Sequence, residues 1–193
     1  MEDSKVAALA RRIYQSHRAA LDVIFEHRPD ERLNLSEALQ QRMKASASEL
    51  SLRPMIFNKG FIRFLPREWD TSRNREGTAW GSTDSAFVLC EISVWSRFPV
   101  LRMIAAKAPD PWQSGLWNMS LNPPFKRTHK RTKPPGIWMS FYAVRNQKVS
   151  LDDVELGHED EVAEKVWEWV KEELVSEDWV QSVKRVADHL PTL

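Results

Sequence analysis

A run of basic side chains lies between two proline pairs, within residues 124–135 of the chain. It holds six basic residues and no acid: Lys126, Arg127, His129, Lys130, Arg131 and Lys133. Such side chains bind phosphate groups, with an affinity that falls as salt rises. Three tryptophans flank the run and would suit stacking on unpaired bases: Trp112, Trp117 and Trp138. These nine residues predict contact with nucleic acid or with a partner protein. The alternative is a solvated loop whose positive charge compensates an acidic segment elsewhere in the chain.

The chain does contain such an acidic segment. Residues 151–193 hold 13 acids and 4 lysines or arginines, a net charge of −9. Residues 1–150 hold 14 acids and 24 lysines or arginines, a net charge of +10, and the two values sum to the net charge of +1 of the chain. The acidic segment has the pattern of a helix pair, so we expect it to be neutralised at least partly within the fold.

No catalytic or cofactor motif stands out elsewhere. The chain has six glycines and neither of the common phosphate-binding loops. Its five histidines lack zinc-ligand spacing, and His17 falls on the apolar stripe of a predicted helix, where a hydrogen-bonded core histidine is expected. Cys90 lies in the most hydrophobic strand-like run, which favours an inert buried thiol. We therefore expect no catalytic residue, no metal site and no cofactor.

Hydrophobic periodicity predicts helices at both ends and strands between them. Two helices are expected over Val6–His27 and from about Asn34 or Ser36 to the Ser/Ala-rich stretch that ends at Ser48. Two more are expected at about 159–175 and 177–190. Strand-like runs between them cover 61–65, 86–95, 100–106 and 136–144, and Pro109-Asp110-Pro111 is expected to break the third.

This order predicts an α+β fold, an antiparallel sheet of about four strands with two N-terminal and two C-terminal helices. No linker or repeat interrupts it, so we expect a single domain over residues 1–193, helical over 5–50, mostly β over 55–145 and helical over 158–190. The chain has nine tryptophans, and in a domain of this size most of them must lie in the core.

Several segments together resemble a known superfamily. They are residues 14–30, 62–69 (Ile-Arg-Phe-Leu-Pro-Arg-Glu-Trp) and 76–80 (Glu-Gly-Thr-Ala-Trp), then the strand pair 87–95 and 100–106, and Pro124–Arg127. In this order they are similar to the C-terminal half of bacterial proteins of the PD-(D/E)XK nuclease superfamily, in the group of unclear role. The resemblance runs from about Tyr14 to the final helices.

The resemblance implies a part without the catalytic centre. In the superfamily, two carboxylates that hold Mg²⁺ and a lysine that acts on the attacking water lie before the region matched here. The acid-x-lysine signature occurs in this chain only as Asp3-Ser4-Lys5, outside any predicted strand, so no catalytic residue carries over. The resemblance thus implies a free-standing or excised accessory domain of a bacterial nuclease-like system, of a type used in defence.

Two alternatives remain open at this point. One is a degenerate metal-dependent nuclease that uses Asp84 and Glu91, although a turn and the polar face of a strand account for these acids as well. The other is a protein-interaction or inhibitor-type module, which predicts an exposed tryptophan-rich apolar patch and no affinity for polyanions. The chain has no apolar run long enough to span a bilayer and only one cysteine, so we expect a cytoplasmic protein without a membrane partner.

Overall fold

A computed structural model describes residues 2–26, 31–55, 57, 60–80, 85–125, 138–152 and 157–190. The chain divides into two compact units, Met1–Asp30 and Glu31–Leu193. The first contains one helix, α1 (Glu2–Glu26), whose backbone leaves helical geometry at His17 (φ −127°, ψ 23°). The stripe that the sequence indicates as apolar is exposed along α1 at Val6, Leu9 and Ile13. His17 is exposed as well, so the expectation of a core histidine is wrong.

The second unit is built on one antiparallel sheet. Its five strands are β1 (Leu52–Pro54), β2 (Phe61–Pro66), β3 (Val88–Ser93), β4 (Val100–Ala106) and β5 (Trp138–Arg145). They lie side by side in chain order. Each strand from β2 to β5 is antiparallel to the one before it, as expected when consecutive strands are joined by turns or loops.

Four helices accompany this sheet: α2 (Glu31–Ser46), α3 (Asp110–Met119), α4 (Glu159–Leu174) and α5 (Glu177–His189). The Ser176 side chain caps α5 by accepting a hydrogen bond from the Trp179 backbone N–H. Trp179 contacts Phe64 of β2 and Tyr142 of β5, with ring centroids 6.5 and 5.4 Å apart. The indole of Trp69 donates a hydrogen bond of 2.9 Å to the Val183 carbonyl of α5. These contacts place α5 on one face of the sheet.

The core lies between that face and the helices. Side chains alternate along a strand, so Ile62, Cys90, Ile92 and Met103 share this face with Phe64 and Tyr142, and all of them are buried. Five of the nine tryptophans are buried there or under α3 and α4, which confirms that most of them belong to the core: Trp69, Trp112, Trp117, Trp167 and Trp179.

The α+β class and the antiparallel sheet are confirmed, and the paired helices flank the strands in the expected order. The sheet has five strands rather than about four, and a helix lies in the middle of the chain. β1 was missed because it is three residues long and ends in Pro54, which gives no alternation to detect. α3 was missed because Pro111, which indicates a strand break, lies in the first turn of a helix, where a missing N–H costs nothing.

Candidate functional site

The sheet has a second, polar face opposite the helices. Cross-strand register aligns Arg63 of β2 with Glu91 of β3, and Glu91 with Arg102 of β4. Three charged residues therefore form a row across three neighbouring strands, with the carboxylate between two guanidinium groups. The register, rather than any sequence motif, brings them together.

Arg63 and Glu91 form a buried ion pair. The Arg63 Nε donates to Glu91 Oε2 at 3.0 Å, and the two residues are only 7% and 4% exposed. Burial raises the pKa of the Glu91 carboxyl, against the opposing attraction of Arg63 and Arg102. Burial likewise lowers the pKa of Arg63, but an arginine keeps its proton at any physiological pH. The Glu91 carboxylate is thus committed to a structural pair.

An aromatic cluster covers the buried arginine. The guanidinium carbon of Arg63 lies 4.3 Å from the ring centroid of Trp80 and 5.3 Å from that of Phe61. The Trp80 indole donates a hydrogen bond of 2.9 Å to the Ala86 carbonyl, which fixes its ring. Trp80 in turn meets Trp138 edge-on, with centroids 4.5 Å apart and an interplanar angle of 76°. Cation–π and edge-to-face contacts of this kind hold aromatic rings in defined positions.

The segment that carries Trp80 is anchored by Asn74. The buried Asn74 amide donates to the carbonyls of Trp69 (2.9 Å) and Val88 (3.0 Å), and its oxygen accepts from the Val88 N–H (2.9 Å). Gly77 lies nearby, where a Cβ would meet the backbone of Ala86 and Phe87 at 2.3 Å. These contacts fix the loop after β2 against the start of β3.

Beyond Arg102, the polar face opens into a groove of about 400 Å³. Its lining comprises two arginines, two serines, one glutamine and two small apolar residues: Arg102, Arg145, Ser96, Ser140, Gln147, Val100 and Ala143. None of these described lining residues is a carboxylate. Among the residues that the structure describes, neither Arg102 nor Arg145 forms a salt bridge. The groove, together with Trp138, has the chemistry of an anion-binding site, and we call it the anion groove.

One end of the anion groove is braced by the turn between β3 and β4. The Arg32 guanidinium donates to the carbonyls of Val94 and Ser96, and the Ser96 hydroxyl donates to the Phe98 carbonyl. Asp152 pairs with both Arg32 (3.7 Å) and Arg97 (3.3 Å). Because several elements hold this rim, the groove is formed in advance of any ligand.

Of the nine residues that the sequence predicts to bind nucleic acid or a partner, three lie in the described part of the structure. Trp138 is 49% exposed, whereas Trp112 and Trp117 are buried on α3 and are not accessible to a stacking base. Trp112 packs edge-on against Phe87, with ring centroids 5.4 Å apart. All six basic residues of the run lie outside the described residues: Lys126, Arg127, His129, Lys130, Arg131 and Lys133. The run joins Phe125, which packs near Phe141 of β5, to the start of β5.

No sequence motif points to the arginines of the sheet. Arg102 is one charged residue within an apolar strand, and Arg145 ends another, so neither belongs to a motif. The only signal was the charge itself: an arginine in a strand of otherwise apolar residues indicates a polar face or a binding function.

Acids of the segment 151–193 form salt bridges with arginines elsewhere in the fold. Arg42 of α2 contacts Glu164 at 2.7 Å and Asp160 at 3.0 Å on α4, and Asp152 pairs with Arg32 and Arg97. The expected intramolecular neutralisation of this segment is therefore present.

The other residues that the sequence offers for catalysis or metal binding are Cys90, the metal-ligating residue types and Asp84. Cys90 is buried in β3, and burial raises the pKa of its thiol, as expected for an inert cysteine. In the described part of the chain, no group of three or more histidine, cysteine, aspartate or glutamate residues could hold a metal ion. Asp84, the proposed partner of Glu91 in a degenerate nuclease, lies outside the described residues.

A second groove, of about 510 Å³, lies between β1 and α5. Its lining is mainly apolar and includes Leu52, Leu174, Trp179, Val180 and Val183, with the exposed Val180 at its margin.

No described helix is both long enough and apolar enough to cross a membrane. Comparison with protein-family models, with curated proteins and with solved structures finds no match to this chain.

Proposed function

We propose that this chain is a non-catalytic accessory domain that binds nucleic acid. The observation that carries the proposal is the anion groove, which presents Arg102 and Arg145, and in which no carboxylate lies among the described lining residues. Guanidinium groups bind phosphate oxygens in a fixed, bidentate geometry. The basic run 126–133 precedes β5 in the sequence, with four residues between them, and we propose that it adds phosphate contacts to those of the groove.

The resemblance to the PD-(D/E)XK superfamily gives this binding a context. We propose that the domain serves a bacterial nuclease-like system of the defensive type, in which a separate active site cleaves the nucleic acid. A cytoplasmic setting suits a chain whose one cysteine is a buried thiol. The commitment of Glu91 to Arg63 supports an accessory role, because a metal-dependent nuclease needs its carboxylates for the cation.

Titration of labelled DNA at several salt concentrations tests this proposal. We expect wild type to bind with an affinity that falls steeply with salt, and a variant with Lys126, Arg127, Lys130 and Arg131 changed to alanine to lose most of it. A matched control changes four exposed cations on other surfaces to alanine: Lys44, Arg67, Lys165 and Lys184. An equal loss of DNA affinity in both variants would mean that the effect depends only on the net charge of the protein. Absence of binding at low salt would refute the proposal.

The same preparation tests the nuclease alternative. Incubation of DNA with protein and Mg²⁺ or Mn²⁺ should leave the DNA intact. Cleavage by wild type that Glu91→Ala abolishes, in a variant shown to be folded, would establish a degenerate nuclease instead.

The apolar groove between β1 and α5 supports a second candidate function, the binding of a partner protein. Its lining offers Val180 and Leu52 to an apolar partner surface. Val180→Asp would then abolish capture of a defined partner while DNA binding persists. If wild type binds no polyanion and the partner is lost in this variant, the protein-interaction function replaces the first proposal.

A further inference from the structure

Trp138 is a fixed but accessible aromatic surface at the start of β5. Its side chain is about half exposed, and its ring is held edge-on by Trp80. Trp80 is itself held by its hydrogen bond to Ala86 and by its contact with Arg63. Such support holds the ring in place while its exposed half stays accessible, and tryptophan is enriched at interfaces. The arrangement suits a ring that packs against a ligand.

A bulge brings Trp138 and Arg145 to the same face of the sheet. Along β5, Ser140 pairs with Ile104 and Tyr142 with Met103, so Phe141 is an extra residue in the ladder. Alternation alone would put Trp138 and Arg145, seven positions apart, on opposite faces. The extra residue reverses this, and Ser140, Ala143 and Arg145 all line the anion groove.

The polar face along β5 therefore changes character from one end to the other. It begins with an exposed indole, continues with the Ser140 hydroxyl and ends at Arg145, with Arg102 on the neighbouring strand. Arg102 lies opposite Ala143, which makes Arg102 and Arg145 diagonal neighbours about 7–8 Å apart at the backbone. The whole strand spans about 25 Å. An aromatic platform followed by two arginines matches a ligand with flat rings along an anionic backbone.

We propose that the anion groove binds single-stranded nucleic acid, with one base stacked on Trp138 and the phosphodiester backbone following β5 to Arg102 and Arg145. A single strand can offer the face of a base to the indole, whereas a duplex keeps its bases stacked on one another. A peptide of acidic residues alone could engage the two arginines but would offer no ring to Trp138. This inference rests on the proposed function and specifies its ligand.

Competition between single strands and duplex is the direct test. Fluorescence anisotropy is measured with a labelled DNA oligonucleotide, the same sequence as RNA, and the blunt DNA duplex. We expect one or both single strands to bind more tightly than the duplex. Trp138→Ala should weaken single-strand binding by about 5- to 150-fold, the contribution of one stacked base, and leave duplex binding unchanged.

Two further variants make the result specific. Trp138→Phe keeps a ring and should retain part of the affinity that alanine loses. Trp95→Ala removes an equally exposed indole, which packs on Phe61 at the other side of the face, and serves as the matched control. Melting curves for all variants show that each is folded.

The salt dependence of binding tests the role of Arg102 and Arg145. Changing Arg102 and Arg145 together to glutamine should reduce the slope of log affinity against log salt for a single strand by about 1.4, the value for two lost phosphate contacts. A loss of affinity with no change in slope would mean that neither arginine contacts phosphate.

The outcomes separate this inference from the proposed function. Equal binding of single strand and duplex, with no effect of Trp138→Ala, would overturn the inference while the nucleic-acid proposal stands. No binding of either would overturn both. Displacement of the oligonucleotide by polyglutamate of equal charge, with Trp138→Ala like wild type, would also overturn it and indicate an acidic protein ligand.

Discussion

Arg63 and Glu91 lie directly opposite each other on β2 and β3 and are joined by a buried ion pair of 3.0 Å. Removing two charges from water costs free energy that their mutual attraction repays only when geometry is good. Here the pair also supports the site, because Trp80 lies on the Arg63 guanidinium and holds Trp138. The pair thus links the interior of the sheet to the exposed end of the anion groove.

Removal of one member of the Arg63–Glu91 pair should destabilise the fold much more than replacement of both by apolar residues. Glu91→Ala leaves the Arg63 guanidinium buried and unpaired, and we expect it to lower the free energy of unfolding by about 3–5 kcal/mol. The double change Arg63→Met with Glu91→Leu should recover most of that loss. Urea denaturation of the three proteins measures both effects. A double variant no more stable than Glu91→Ala would contradict this account of the pair.

The pH dependence of stability has a definite sign at Glu91. Burial raises the pKa of this carboxyl, so the folded state holds the proton more tightly than the unfolded chain does. Its stabilising contribution is therefore complete below the unfolded pKa and is lost as the pH rises through the folded pKa. We expect the free energy of unfolding of wild type, minus that of Glu91→Gln, to be largest in acid and to fall with rising pH. An increase with pH would mean that attraction by Arg63 and Arg102 outweighs burial.

Asn74 should be essential to the loop that carries Trp80. Asn74→Ala removes three buried hydrogen bonds and leaves the Val88 N–H without its acceptor. We expect a loss of at least about 2 kcal/mol in unfolding free energy. Asn74→Asp keeps the acceptor but loses both donors, so it should also destabilise the protein. Thermal and urea unfolding test this, and an unchanged stability in either variant would contradict the anchoring role.

Trp80 should act on binding through Trp138. Trp80→Ala removes the edge-on contact that orients the Trp138 ring, while the groove arginines remain. We expect single-strand affinity to fall less than in Trp138→Ala, and the double variant to lose no more than Trp138→Ala alone. Anisotropy titrations provide the double-mutant cycle. Fully additive losses would show that Trp80 contacts the ligand independently.

The sequence predicted the regular elements better than the site. β4 coincides with the predicted strand, and α4 and α5 match their predicted ranges closely, because long periodic segments bury one continuous face. The site depends on relations that no local pattern contains. Arg102 lies near Arg145 only through strand register, and Trp138 shares their face only because of the bulge at Phe141. Trp112 and Trp117 lie on α3, a helix that the sequence pattern does not predict, and their burial there removes them from the site.

The order of the strands along the chain also determines how far apart in sequence the contacts of the fold lie. Each strand pairs with its immediate neighbours in the chain, across connections that run from six residues between β1 and β2 to 31 between β4 and β5, and a shorter connection costs less chain entropy to close. The helices are different: Arg42 of α2 meets Glu164 of α4 across 122 residues, and Trp69 meets Val183 across 114. Docking of the C-terminal helix pair is therefore the entropically expensive closure. Until it occurs, Phe64 and Tyr142 face water, so the docking of α4 and α5 is the step that completes the core.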